Sequence, residues 1–250
     1  MDLETRQLQQ RLAALNHLPE VLLVKPTTQS TNDDIREIAK TGVQHALVCS
    51  EQQSAGRGQR QRTWVSPQGN IYLSALLNLN QVIDGRLSLE IALNILNIPS
   101  LQGLDLQIKW PNDLYSAQGK WGGILIEPIS MQQVIVGVGI NMSSVADQVT
   151  DQATTSLSDL GLREASRLDL IAQVYVAIQQ AGQWFDHQSH HLAARFARYA
   201  AFKDQMVEFE HVAGITQGRF LGIQDDGAVV LDTEQGQQSF YQGRLRLAEA

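Results

Sequence analysis

Lys109-Trp110-Pro111-Asn112-Asp113 and, six residues on, Gly119-Lys120-Trp121-Gly122-Gly123-Ile124-Leu125-Ile126-Glu127 frame a hairpin. Residues 106–110 read as extended, Pro111-Asn112-Asp113 breaks the strand, and Ser116-Ala117-Gln118-Gly119 supplies a turn. Apolar runs at 121–128 and 134–141 give the next two strands of a meander.

Outward from this meander the chain is mixed. Residues 1–17 form an amphipathic pattern with Leu8, Leu12 and Leu15 on one face. A short strand follows at 21–24. Ser30-Thr31-Asn32 then precedes a helix running to about Lys40, Ser and Thr being ordinary N-cap choices. Strands are expected at 45–51 and 70–79, and a polar loop at 53–69. Helices are expected at 84–102, 166–186 and 188–201, with a long loop at 143–156. From about 204, Gly218, Gly222, Gly227, Gly236 and Gly243 punctuate short strands, among them 228–232 and 245–247, which suggests a small β-barrel. The layout is α+β, with a larger unit at 1–203 and a small one at 204–250.

Composition narrows the function. The 250 residues carry a formal charge of −7 and are 43% hydrophobic and 18% charged, as a soluble chain with a real core would be. An acidic balance argues against coating nucleic acid, which requires Lys and Arg to neutralise phosphates. The single cysteine, Cys49, lies in the apolar run 46–49 and reads as a small buried residue, so a reducing compartment fits. The first residues lack a secretory h-region, and no stretch approaches the ~20 apolar residues of a membrane span. A cytoplasmic protein without membrane or DNA partners is expected.

Four segments could carry chemistry. Residues 53–64 hold Gln53, Gly56, Arg57, Gly58, Gln59, Arg60, Arg62 and Trp64. Glycines allow close backbone approach, arginines bind carboxylate or phosphate bidentately, and Trp offers a ring face. The bland alternative is a solvated basic loop. Lys109–Asp113 displays Asn112 and Asp113 at a strand end, where Asp113 could meet Mg²⁺ or simply close an Asx turn. Lys120 opens a strand weakened by Gly122 and Gly123, and either faces an anion or lies in water. Gly137-Val138-Gly139-Ile140-Asn141 ends in an Asn able to read a base edge, or is a bulged strand. There is no P-loop, no Gly-x-Ser-x-Gly elbow and no His-Glu-x-x-His. His187, His190 and His191 read as surface histidines. Glu208-Phe209-Glu210-His211 reads as an alternating strand with exposed charges.

Taken in order, Ser30-Thr31-Asn32, Gln53-x-Ala-Gly-Arg-Gly with Arg62 and Trp64, Lys-Trp-Pro-Asn-Asp, Gly-Lys-x-Gly-Gly-Ile-Leu-Ile-Glu and Gly-Ile-Asn resemble the catalytic domain of biotin–protein ligases, from about residue 22 to the C-terminus. The resemblance implies a mixed sheet like that of class II aminoacyl-tRNA synthetases and a C-terminal SH3-like β-barrel. It implies that biotin attacks MgATP to give biotinyl-5′-AMP. A lysine of a biotin carboxyl carrier protein, such as that of acetyl-CoA carboxylase, then takes the biotinyl group.

On that resemblance Ser30, Thr31, Asn32 and Gln53, with the backbone of Gly58 and Gln59, would match biotin's ureido head, and Gly122 and Gly123 would make room for its rings. Arg57 and Lys120 would lie near the reacting carboxylate and α-phosphate and serve in catalysis with Asp113. Arg60, Arg62, Trp64, Asn112 and Asn141 would take ATP. Asp113 would hold Mg²⁺ or orient the incoming lysine. Loops 54–66 and 143–156 would close over the intermediate. Gln59, Gln61 and Trp121 depart from the family's usual Arg, Gly and aliphatic residue. The resemblance allows a homodimer. The rivals are a lipoate or octanoate ligase or transferase, a biotin-sensing repressor and an inactive biotin-binding module. About 20 residues precede the matched region, too few for a helix-turn-helix module.

Overall fold

A computed structural model describes residues 2–143 and 152–248. The expected loop at 143–156 falls largely on 144–151, outside the described residues. Seven strands make the main sheet: β1 (Val21–Thr28), β2 (Ala46–Gln53), β3 (Ile71–Asn78), β4 (Gln107–Lys109), β5 (Asp113–Ser116), β6 (Gly119–Pro128) and β7 (Gln133–Ile140), in the order β1-β2-β3-β7-β6-β5-β4. β1 and β2 are parallel, as their connection through α2 (Thr31–Ala39) requires, and every other pair is antiparallel.

The two faces of this sheet differ. α1 (Leu3–Ala14), α3 (Arg86–Leu96) and α4 (Arg167–Asp186) build the main core, where Val134, Val136, Val138 and Ile140 of β7 are buried. α2 covers only part of the other face, over Ile35, Ala46, Val48, Leu76 and Ile135. Beyond that small core two glycines of β7 lie on the same face. Gly137 stands between Ser74 of β3 and Leu125 of β6, and Gly139 between Tyr72 and Gly123. Since side chains alternate across a strand, partners in register share a face, and this row is where the sheet opens to a cavity.

A second sheet of β8 (Met206–His211), β9 (Gly214–Ile223), β10 (Val229–Thr233), β11 (Gly236–Phe240) and β12 (Arg244–Leu247) is wholly antiparallel, in the order β11-β10-β9-β8-β12. It is tied to the first through Trp110. That buried indole lies 5.6 Å from the ring of Phe209 and donates from Nε1 to Gly227 O at 3.0 Å. The strand end carrying Pro111-Asn112-Asp113 is thereby anchored on the second sheet.

Several expectations need correction. Leu15 is exposed, as the C-cap beyond α1, while Leu8 and Leu12 are fully buried. The helix expected at 84–102 stops at Leu96, because Ile98 is extended before Pro99, and a 3-10 turn follows at Pro99–Leu101. The helix expected at 188–201 shrinks to α5 (Leu192–Phe196), since Gln188, Ser189 and His191 all have positive φ.

Candidate active site

The cavity holds about 530 Å³ and lies where β3, β6 and β7 meet the start of α2, the 53–65 segment and the Lys109–Asp113 turn. Among the described residues its lining includes six basic side chains, Arg57, Arg60, Arg62, Lys109, Lys120 and Arg244, against one carboxylate, Asp113. In a chain of net charge −7 this local excess marks the place where an anion is attracted.

One end is a row of hydroxyls and amides. Ser30 holds the N-cap position of α2 with no capping hydrogen bond from its side chain, and it is buried against the cavity. Gln53 Oε1 accepts from Thr31 N–H at 2.9 Å and lies 3.2 Å from the Thr31 hydroxyl oxygen, and Gln53 Nε2 donates to Ser66 Oγ at 3.1 Å. Ser74 Oγ lies 2.7 Å from Thr31 Oγ1 and donates to Asn32 Oδ1 at 2.5 Å. Asn32 Nδ2 donates to Glu127 Oε2 at 3.0 Å. Gly137 makes this row possible, since a Cβ there would collide with the Asn32 amide.

The other end is cationic. Lys120 Nζ pairs with Asp113 Oδ1 at 2.5 Å and sits 5.2 Å from the Trp64 ring centroid. Gln152 Nε2 donates to the second Asp113 oxygen at 3.1 Å, and Lys109 Nζ donates to Gln152 Oε1. The Lys120 backbone is fixed by Ala153 O at 2.9 Å and by Thr155 N–H at 2.9 Å. Arg57 makes a two-point pair with Asp33, at 2.8 and 2.7 Å, and reaches Glu127 at 3.5 Å. Those hydrogen bonds hold the Asp33 carboxyl below its ordinary range.

The 56–64 segment folds as a short hairpin, with Gly58 N–H on Arg62 O at 2.8 Å and Trp64 N–H on Gly56 O at 2.9 Å. Arg60 at its tip stands in the left-handed region, φ 56° and ψ 38°. The half-buried Trp64 indole lies over Gly139, where a Cβ would come within 2.7 Å of the ring, and its buried Nε1 has no hydrogen-bond partner among the described residues.

The cavity brings together Ser30, Thr31, Asn32, Gln53, Arg57, Gly58, Gln59, Arg60, Arg62, Trp64, Asn112, Asp113, Lys120, Gly123 and Asn141. Gly122, expected beside Gly123, points to the opposite face, where a Cβ would meet Leu114 at 3.0 Å; adjacent strand residues cannot share a side. Asn112 Nδ2 donates to Ile124 O at 2.6 Å, which shapes the turn, and Asn141 Nδ2 donates to Thr155 O at 3.0 Å. Trp121 is fully buried with its Nε1 on Tyr115 O at 2.8 Å, which explains why a large residue is accommodated there. Burial pushes the Cys49 thiol up to about 12, and Cys49 does not line the cavity, so it is no nucleophile.

Sequence reasoning did not single out Asp33, Ser74, Glu127, Gln152 or Arg244 for roles. Glu127 had a signal, as the lone acid closing an apolar strand, and so did Ser74, as the one hydroxyl in β3 (Ile71–Asn78) beside Tyr72. Gln152 and Arg244 reach the site only through the tertiary fold.

Residues 23–141 match the biotin/lipoate A/B protein ligase family, and residues 204–244 the biotin protein ligase C-terminal domain. The chain is 31% identical to the biotin–[acetyl-CoA-carboxylase] ligase of Paracoccus denitrificans, over 84% of this chain and 94% of that one. It is 30% identical to the bifunctional ligase/repressor BirA of Escherichia coli, over 91% of this chain and 74% of that one. In fold it is similar to the biotin protein ligase from Aquifex aeolicus in complex with biotin and ATP, with a TM-score of 0.79 at 23% identity, covering 92% of this chain and all of that one. The mixed sheet with its helices and the small SH3-like sheet are those of that architecture. With a profile match on both parts and relatives matched over most of their length, this chain belongs to the biotin protein ligase family.

Proposed function

We propose that this chain activates biotin with ATP as biotinyl-5′-AMP and transfers the biotinyl group to a lysine of a biotin carboxyl carrier protein, that of acetyl-CoA carboxylase being the expected acceptor. The observation that carries this reading is a single cavity joining a neutral hydrogen-bonding end to a cationic end. The ureido head of biotin, two N–H donors and a carbonyl, fits the Ser30, Thr31, Asn32 and Gln53 row. A buried and paired head of this kind rejects ligands that lack it.

The chemistry follows from charge. A biotin carboxylate oxygen attacks the α-phosphorus of ATP, the bond to pyrophosphate breaks, and an acyl-adenylate forms. Two anions must meet for this, and preorganised cations lower the barrier, each by roughly 3–4 kcal/mol on the analogy of a lost oxyanion donor. Lys120 is placed for that task, and Arg57 joins it when an incoming anion competes with Asp33. The acceptor amine then attacks the acyl carbon, AMP leaves, and the amine proton passes to water. Arg60, Arg62, Trp64 and Asn141 would bind the nucleotide, and closure of the 54–66 segment would keep water from the mixed anhydride.

Mg²⁺ takes one or two carboxylates in addition to phosphate oxygens, and Asp113, the one carboxylate of the lining among the described residues, would hold it in exchange for Lys120, which now pairs with it. Bound there, it would neutralise triphosphate charge. Residues 1–203 would be the catalytic unit and 204–250 its support. A reducing, cytoplasmic setting suits the buried Cys49.

The test is mass spectrometry of an unmodified carrier domain incubated with this protein, biotin and MgATP. A gain of one biotinyl group that requires ATP supports the ligase. A gain only with lipoate or octanoate moves the chain to the lipoate side of its family.

A further inference from the structure

The amide of Asn32 has two ends of nearly the same shape, one a donor and one an acceptor. Which end faces which neighbour decides what the polar row offers a ligand. Hydroxyls cannot decide it, because Ser and Thr donate or accept as required. An ionised carboxylate can, because it only accepts. Glu127 stands in that position. Its Oε2 takes Asn32 Nδ2–H at 3.0 Å, so the amide oxygen is turned toward Ser74, which donates to it at 2.5 Å.

Two further features keep the arrangement in place. Arg36 and Arg57 flank the same oxygen at 3.2 and 3.5 Å and balance its charge. Gly137 lets the amide lie flat against the sheet floor, where a Cβ would come within 2.4 Å of Asn32 Oδ1.

We propose that Glu127 is a positioning residue for ligand recognition: by fixing the Asn32 amide it sets the order of donors and acceptors that the cavity presents to the ureido head of biotin. This rests on the reading of the cavity as a biotin site. Glu127 need not touch biotin. Replacing it by Gln keeps the size and adds a donor, so both orientations of Asn32 become available and selectivity for a carbonyl-centred head loosens.

The experiment is a double-mutant cycle read by calorimetric titration of the full chain with biotin and with 2-iminobiotin, whose head carries C=NH in place of C=O. Glu127→Gln is expected to weaken biotin binding at least tenfold in the wild-type background and less than twofold in the Asn32→Ala background. The biotin-to-iminobiotin preference should fall at least threefold in Glu127→Gln. Glu127→Asp, which keeps an accept-only group, should retain that preference even if both ligands bind more weakly, and it serves as the test should the Gln variant fail to fold. Equal losses in both backgrounds, or no loss in the wild-type background, would overturn the role of Glu127. So would a Glu127→Asp protein that loses the preference. Wild-type protein that binds no biotin would instead overturn the proposed function.

Discussion

Lys120 Nζ and Asp113 Oδ1 lie 2.5 Å apart, both side chains mostly shielded from water, with the Trp64 ring against the ammonium. Removing the lysine therefore costs twice: the cavity loses a placed cation, and Asp113 loses its ion-pair partner and keeps, among the described residues, the Gln152 amide. Lys120→Ala is expected to slow biotinyl transfer to the carrier by about 10²–10³-fold. Quenched-flow assays of adenylate formation would check this. An unchanged rate would remove Lys120 from the chemistry.

Asp33 and Arg57 give a pH signature. The folded Asp33 carboxyl titrates below its ordinary value of 3.8 because Arg57 donates two hydrogen bonds to its charged form. Its contribution to stability is therefore present above about pH 4, where the unfolded carboxyl is also ionised, and fades as the pH falls through the lower folded value. Asp33→Asn should melt below wild type at pH 7, and the gap between the two should narrow as the pH falls below the ordinary carboxyl value of 3.8. Both groups are partly exposed, so the gap should also shrink in molar salt.

Gly137→Ala and Gly139→Ala should behave differently. The new methyl at 137 meets Asn32, which is buried and held at both ends of its amide, so overpacking of about 1–3 kcal/mol is expected. Biotin affinity should fall with it, by at least tenfold. The methyl at 139 meets the Trp64 ring at 2.7 Å, but that indole is half-buried and its Nε1 has no hydrogen bond to break among the described residues, so it is expected to yield. Thermal melts should show a drop for the first and little change for the second. Equal drops would contradict this reading of the floor.

Trp110 joins the two sheets. Trp110→Ala should cost about 3–5 kcal/mol through the cavity it leaves against Phe209. Trp110→Phe keeps a ring but gives up the hydrogen bond to Gly227 O, a loss of about 1 kcal/mol. Denaturant titrations of the pair would rank them. If both were near wild type, the anchoring of the Lys109–Asp113 turn would lie elsewhere.

Much of this was legible in the chain. The meander at 106–141, the cap position at Ser30 and the Gly-punctuated C-terminal strands all follow from patterns that act over a few residues. The failures share a cause. Gln188, Ser189 and His191 adopt left-handed backbone that no local signal announces, and the expected helix broke there. Gly122 and Gly123 look like one feature in the sequence, although strand alternation separates them. Glu127 was visible as a motif residue, but its role depends on Asn32, 95 positions earlier in the chain. Gln152 and Arg244 reach the cavity only because the sheet and its C-terminal partner bring distant segments together.

The bare floor at Gly137 and Gly139 also limits how the cavity can be redesigned. An alanine scan ordinarily learns by subtraction, yet at these two positions alanine is an addition, and a survey that ranks residues by the functional groups they lose would pass over them. Nor is the floor spare volume, because the Asn32 amide already lies across one glycine and the Trp64 indole across the other. An engineer seeking to admit a bulkier acid at these two positions would have to trim the roof, starting with the indole, because a glycine has nothing left to remove.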